Sequence, residues 1–140
     1  MHVRPGSIVA IVSLCLAWSL GSAAQAQTID VSVDDIALRN GERTEFGDVY
    51  LVGADCSSLL SGAPQVEVVS GPPGVVVAVE EAMVVPFEHG CERSVHGGRV
   101  IIAANGIDFY SYSRMVLRIT YKTPSGDLQR NQHINVALFP

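Results

Sequence analysis

One short stretch concentrates side chains that hold metals or activate nucleophiles: Glu88-His89-Gly90-Cys91-Glu92-Arg93-Ser94-Val95-His96. Joined by Cys56, its two imidazoles and one thiol make a Cys2His2 set of the kind that zinc or copper accepts. The spacing argues against it. Zinc-finger motifs bring two cysteines close together and two histidines close together, and these residues do neither. A copper site of His89, His96 and His133 would need His133 brought across from the far end of the chain. Ser94, His96 and Glu92 supply the residue types of a nucleophile, a base and an acid. No G-x-S-x-G elbow surrounds the serine, so they read as neighbours on a polar loop. Glu80-Glu81 and Asp34-Asp35 are paired carboxylates. Adjacent residues of a strand point to opposite faces, so neither pair serves one site if it lies in a strand. The expectation is a protein without catalytic residues, metal or cofactor.

Two other groups could bind rather than react. Arg114, Arg118 and Lys122 recur at intervals of four, which keeps them on one face of a strand. They form a basic stripe about 27 Å long at the usual strand rise. Arg99 and Arg130 are candidates to widen it from neighbouring strands. The stripe is either a surface for a polyanion or glycan, or a solvated face whose cations pair with nearby acids. Phe109, Tyr110 and Tyr112 follow an Asn105-Gly106 turn. Such rings either cap a core or stand out as binding anchors, because an aromatic ring offers much area for little entropy.

The elements that must position these residues are strands. Short apolar runs of period two are cut by Gly, Pro and Asn signals. Ile29, Val31 and Val33 alternate with polar residues, and Asn40-Gly41 turns the chain. Further strands are expected at 49–52, 65–69, 75–79 and 83–86. Residues 75–79 are apolar on both faces, as in a strand buried inside a sheet. Gly71-Pro72-Pro73-Gly74 is a strong break, and 88–98 reads as a loop. The last third is clearest: strands at 99–104, 114–122 and 128–139. Met115, Leu117, Ile119 and Tyr121 share one face, as do Ile134, Val136 and Leu138. Between them, Thr123-Pro124-Ser125-Gly126-Asp127 is a hairpin turn, with Pro124 presetting φ and Gly126 free to adopt a left-handed conformation. Six to eight such strands predict an all-β sandwich of two antiparallel sheets, with a small barrel as the alternative.

Residues 1–26 read as a cleavable signal peptide. His2 and Arg4 precede an apolar run at 8–20, and Ala24-Gln25-Ala26 is an A-x-A cleavage site. The run is shorter than the roughly 20 residues of a stable membrane span. The expected products are a domain at 27–140 and a periplasmic or secreted location. Cleavage removes Cys15 and leaves Cys56 and Cys91, which an oxidising compartment would join as a disulfide. Losing Arg4 takes the formal charge from −5 to −6, which argues against nucleic acid or an anionic membrane as partner.

The second half resembles bacterial immunoglobulin-like and cadherin-like domains of exported proteins. Pro72-Pro73-Gly74-Val75-Val76 resembles their P-x-x-G-x-V segment. Gly97-Gly98-Arg99-Val100-Ile101-Ile102 is similar to G-x-x-V-x-Y without its aromatic. Gly106-Ile107-Asp108-Phe109-Tyr110 and Leu117-Arg118-Ile119-Thr120-Tyr121 resemble the F-x-Y-x-V segment, and Gly126 with Ile134-Asn135-Val136-Ala137-Leu138 the final strand. The resemblance covers about 70 residues, 66–138. It implies an immunoglobulin-like sandwich with an adhesive or structural role in the cell envelope, bound to another macromolecule there. It carries over no functional residues. The acidic calcium motifs of cadherins are missing, Asp34-Asp35 being the only paired aspartates. Two other roles compete. Residues 28–38 alternate like the donor strand of a pilus-type assembly subunit, and Phe139 stands penultimate. The other is a periplasmic copper or zinc binder using the His89 and His96 loop.

Overall fold

The computed structural model describes residues 34–87 and 90–140. The signal-like segment, the alternating residues 29–33 and His89 lie outside the described residues. Seven strands form: β1 Asp34–Arg39, β2 Arg43–Val49, β3 Gln65–Ser70, β4 Val75–Val84, β5 Val95–Ala104, β6 Ser111–Thr123 and β7 Gly126–Phe139. They build one sheet of order β1-β7-β6-β3 and a second of order β2-β5-β4. Two separate sheets make this a β-sandwich rather than a barrel.

The period-two residues fill the space between the sheets. Met115, Leu117, Ile119 and Tyr121 of β6 are buried beside Ile134, Val136 and Leu138 of β7 and Leu38 of β1. Val100, Ile102 and Ala104 of β5 meet them from the other sheet, with Val49 of β2. Val66 and Val68 of β3 and Val75, Val77 and Val79 of β4 close the side where those two edge strands face each other. The second sheet also buries a residue on its outer face. Ile101 is 5% exposed there, flanked in register by Ala78 and Glu45. The Arg43–Glu80 ion pair reaches across β5 on that face, from β2 to β4.

Several expectations need correction. The sheets are not wholly antiparallel, since β1 runs parallel to β7, Asp34 opposite Ile134 through Arg39 opposite Phe139. No hairpin joins these two strands, so the direction of β1 is free to follow its crossing into β2 of the other sheet. The strand expected at 49–52 lies earlier, in β2, and Val52 makes only an isolated bridge to Ser58. A register shift between Glu45 and Gly47 hides β2 in the sequence, because it puts Phe46 and Val49 on the same side at odd spacing. The pieces at 75–79 and 83–86 are one strand. It is an edge strand rather than a central one, and Val76 is 58% exposed.

β5 begins at Val95, inside the expected loop. Its Gly97 and Gly98 are there for close approach rather than for a turn. A Cβ on Gly97 would lie 2.5 Å from the Val49 carbonyl oxygen, and one on Gly98 would lie 2.3 Å from Val79 Cγ1. The hairpin turn falls where expected. Thr123 pairs with Gly126 around Pro124-Ser125, and Gly126 has φ of 121°.

Candidate functional site

Cys56 and Cys91 form a disulfide, Cα to Cα 5.7 Å. It ties the turn after β2 to the connection between β4 and β5, and Cys91 is buried. Two thiols bonded to each other are no longer thiolate ligands. His96 and His133 belong to strands of different sheets. Among the described residues, no group of three or more His, Cys, Asp or Glu is placed to hold a metal ion. The turn carrying Cys56 is built locally. The Gly53 amide donates to the Ser57 carbonyl and the Cys56 amide to the Gly53 carbonyl, both at 3.0 Å. Asp55 Oδ1 accepts from the Ser57 hydroxyl at 2.7 Å and from its amide at 3.1 Å. These bonds, the hydroxyl's first, hold the Asp55 carboxyl below its ordinary range. Their support is present above the ordinary carboxylate pKa and fades as pH falls through the lowered one. Cys56 takes φ of 62°, the left-handed region, to complete the turn.

The paired carboxylates divide as strand geometry requires. Asp34 accepts from Gln132 Nε2 at 2.9 Å. Asp35 turns to the outer face, where Asn135 Nδ2 donates to its Oδ1 at 2.9 Å. Glu80 is spent on Arg43.

The basic stripe does share the outer face of the four-stranded sheet. The sheet also supplies its acids: Glu67 of β3 pairs with Arg118 at 3.1 Å and Asp127 of β7 with Lys122 at 2.7 Å. Gln65, Thr120 and Gln129 complete a shallow polar groove of about 590 Å³ around these pairs. Arg99 does not extend the stripe, because β5 is in the other sheet, where it meets Glu45 and Asp48. Arg130 pairs in register with Ile119 and lies over the Tyr121 ring, 5.8 Å from its centroid. Arg39, Arg93, Arg114 and Arg130 have no ion pair among the described residues, and of these Arg39 and Arg114 lie on this outer face.

Those two arginines border the aromatic residues. Tyr110 and Tyr112 do not cap the core. They are 58% and 60% exposed, and Phe109 is 74% exposed. Odd-numbered residues of β6 take the core positions, so Tyr112 faces outward by parity. Its neighbours follow from register. Ala137 of β7 lies opposite Tyr112, and Ala37 of β1 lies opposite Ala137. The row on one side is Arg114, Asn135 and Asp35; on the other side Phe139 pairs with Arg39. The Tyr110 and Phe139 rings meet at 5.1 Å between centroids, tilted by 52°.

The Tyr112 hydroxyl donates to Asp35 Oδ1 at 3.4 Å. That contact sets the direction of the side chain. Tyr112 and Asp35 are separated by the whole of β7, about 9–10 Å at two strand spacings. To reach across, the Tyr112 side chain must lean over β7, past the small side chain of Ala137 in register with it, and the ring stays 60% exposed. The hydroxyl is held above the ordinary phenol range, first by desolvation and then by the Asp35 carboxylate, with Arg114 pulling the other way. Arg114, Tyr110 and Tyr112 thus come together. Arg118 and Lys122 lie at the other end of the same face, neutralised. Asp35, Ala37, Asn135, Ala137 and Phe139 complete the patch and escaped sequence reasoning, because only strand register brings them beside Tyr112.

No protein-family model, curated protein or solved structure matches this chain. What the site does must therefore be argued from its chemistry.

Proposed function

We propose that this chain is an exported, non-enzymatic immunoglobulin-like domain that binds another macromolecule of the cell envelope through the aromatic outer face of its four-stranded sheet. The strand order supports the fold. An immunoglobulin constant-type sandwich sets its B, E and D strands in one sheet and C, F and G in the other. β2-β5-β4 and β3-β6-β7 follow that order, with β1 laid beside the last strand. The Cys56–Cys91 disulfide supports passage through an oxidising compartment, in keeping with the signal-like residues 1–26.

The observation that carries the binding role is the exposed Tyr112 ring, its hydroxyl held by Asp35 across β7, beside two further exposed rings. Exposed aromatic clusters of this kind mark interaction sites more often than chance surface. The donor-strand reading gains no support, since Asp34–Arg39 is spent on the chain's own β7. Binding of the purified mature protein to washed envelopes from its native cells, measured by sedimentation, tests the proposal. Tyr112→Ala should weaken retention about tenfold, the loss expected for a central aromatic anchor. Equal retention of the variant and the parent would refute the assignment.

A further inference from the structure

Building on that reading, we infer that the ligand of this face is a glycan: a pyranose chain carrying spaced carboxylates, seated on Tyr112 between Arg114 and Arg39. Three features select it. First, the Tyr112 side chain leans across β7, in a row whose other register partners are the small Ala137 and Ala37. Its ring is 60% exposed and offers a π-face to a ligand. A pyranose presents a flat patch of C–H groups to such a face, and the negative π-cloud attracts their partial positive charge.

Second, the rim can bond hydroxyls and acetamido groups. Asn135 Nδ2 donates to Asp35 Oδ1, which orients the amide, and an asparagine side-chain oxygen can accept from a sugar hydroxyl.

Third, the charges are complementary. Arg43, Arg99, Arg118 and Lys122 are each matched with acids. Among the described residues Arg39 and Arg114, at opposite corners of the patch, have no ion pair; Arg93 and Arg130 have none either, but lie off this face. Strand geometry puts the Cα atoms of Arg39 and Arg114 roughly 16 Å apart. Two separated guanidiniums suit carboxylates carried on alternate sugars. A dense polyanion, nucleic acid included, would be repelled by a chain of net charge −5, even though its bases could stack.

Amide chemical shifts of the mature protein, titrated with a hyaluronan octasaccharide, test this. Neutral chitohexaose and dextran sulfate are the comparison probes. Hyaluronan should shift residues of β1, β6 and β7 around Tyr112 and Ala137. Chitohexaose should bind about tenfold more weakly, and dextran sulfate should not compete. Tyr112→Ala and Arg114→Ala should each weaken hyaluronan binding about tenfold, with thermal midpoints unchanged to show that both variants fold. No response to hyaluronan, equal affinity for chitohexaose, or shifts confined to another surface would overturn the inference. Should Tyr112→Ala still weaken envelope retention about tenfold while hyaluronan produces no shifts, the glycan is wrong and the binding face stands, with a protein as its occupant. Loss of both responses would remove the face as well.

Discussion

Replacing Cys56 and Cys91 together by alanine lowers the free energy of unfolding by about 3–4 kcal/mol. The cross-link joins residues 35 apart in sequence, and closing a loop of that length removes this much chain entropy from the unfolded state. The size of the fold makes the loss serious, because domains of about a hundred residues are stable by only about 5–15 kcal/mol. The structure adds a local reason. The 50–64 connection between β2 and β3 contains no named strand; the Val52–Ser58 bridge and the Leu59 to Leu51 bond fold it on itself, and Ser61 to the Lys122 carbonyl and the Ser58 hydroxyl to the His96 carbonyl tie it to the strands. Leu51 and Leu60 pack against the core from this connection, so freeing it exposes apolar surface. Urea unfolding of the oxidised parent and the double variant measures the difference, and the reduced parent should match the variant. A melting point lower by about 15 °C or more is the thermal counterpart. A change below about 1 kcal/mol would mean that the bond contributes little to the fold.

Gly74→Ala should be nearly as damaging, at about 3 kcal/mol. Gly74 has φ of 85°, and its added Cβ would stand 2.4 Å from the Asn105 carbonyl oxygen and 2.8 Å from Ile107 Cδ1. The Asn105 amide donates to the Gly74 carbonyl at 2.8 Å, so the two backbones cannot separate without losing that bond. Left-handed backbone costs a side chain about 1–2 kcal/mol. Forcing a methyl against backbone adds about 1–3 kcal/mol. Gly41 and Gly106 provide the control. They have φ of 80° and 68°, with nothing within 4 Å of the added Cβ. Alanine there should cost only the conformational part, about 1–2 kcal/mol. Equal losses at all three positions in chemical denaturation would show that the approach of Gly74 to Asn105 is not tight.

These glycines also mark what the sequence could and could not tell. The turns at Gly41, Gly106 and Gly126 were legible because a left-handed residue is a local requirement. So were β6 and β7, whose alternation runs unbroken over a long hairpin. Gly97 and Gly98 were read as loop because their reason is non-local: β5 passes against the end of β2 and against Val79. β2 was hidden by its bulge, and β4 was misread as central because three inward valines alternate with outward Val76 and Ala78, an edge and an interior strand looking alike in composition. For the site, Tyr110, Tyr112 and Arg114 stood out by type. That Arg118 and Lys122 are neutralised while Arg114 is not depends on which acids β3 and β7 bring alongside. The hold of Asp35 on the Tyr112 hydroxyl needs β1 on the far side of β7, a parallel pairing that no hairpin signal announces.

The proposed function depends on which outer face of the sandwich meets a partner. A photoreactive phenylalanine in place of Tyr110, exposed two residues before Tyr112, can be compared in native cells with one at Ala78, exposed on the outer face of the other sheet. Crosslinked product from position 110, absent from position 78 and lost on adding Tyr112→Ala, is the predicted result. Product from position 78 alone, or product from 110 that persists without Tyr112, would contradict it.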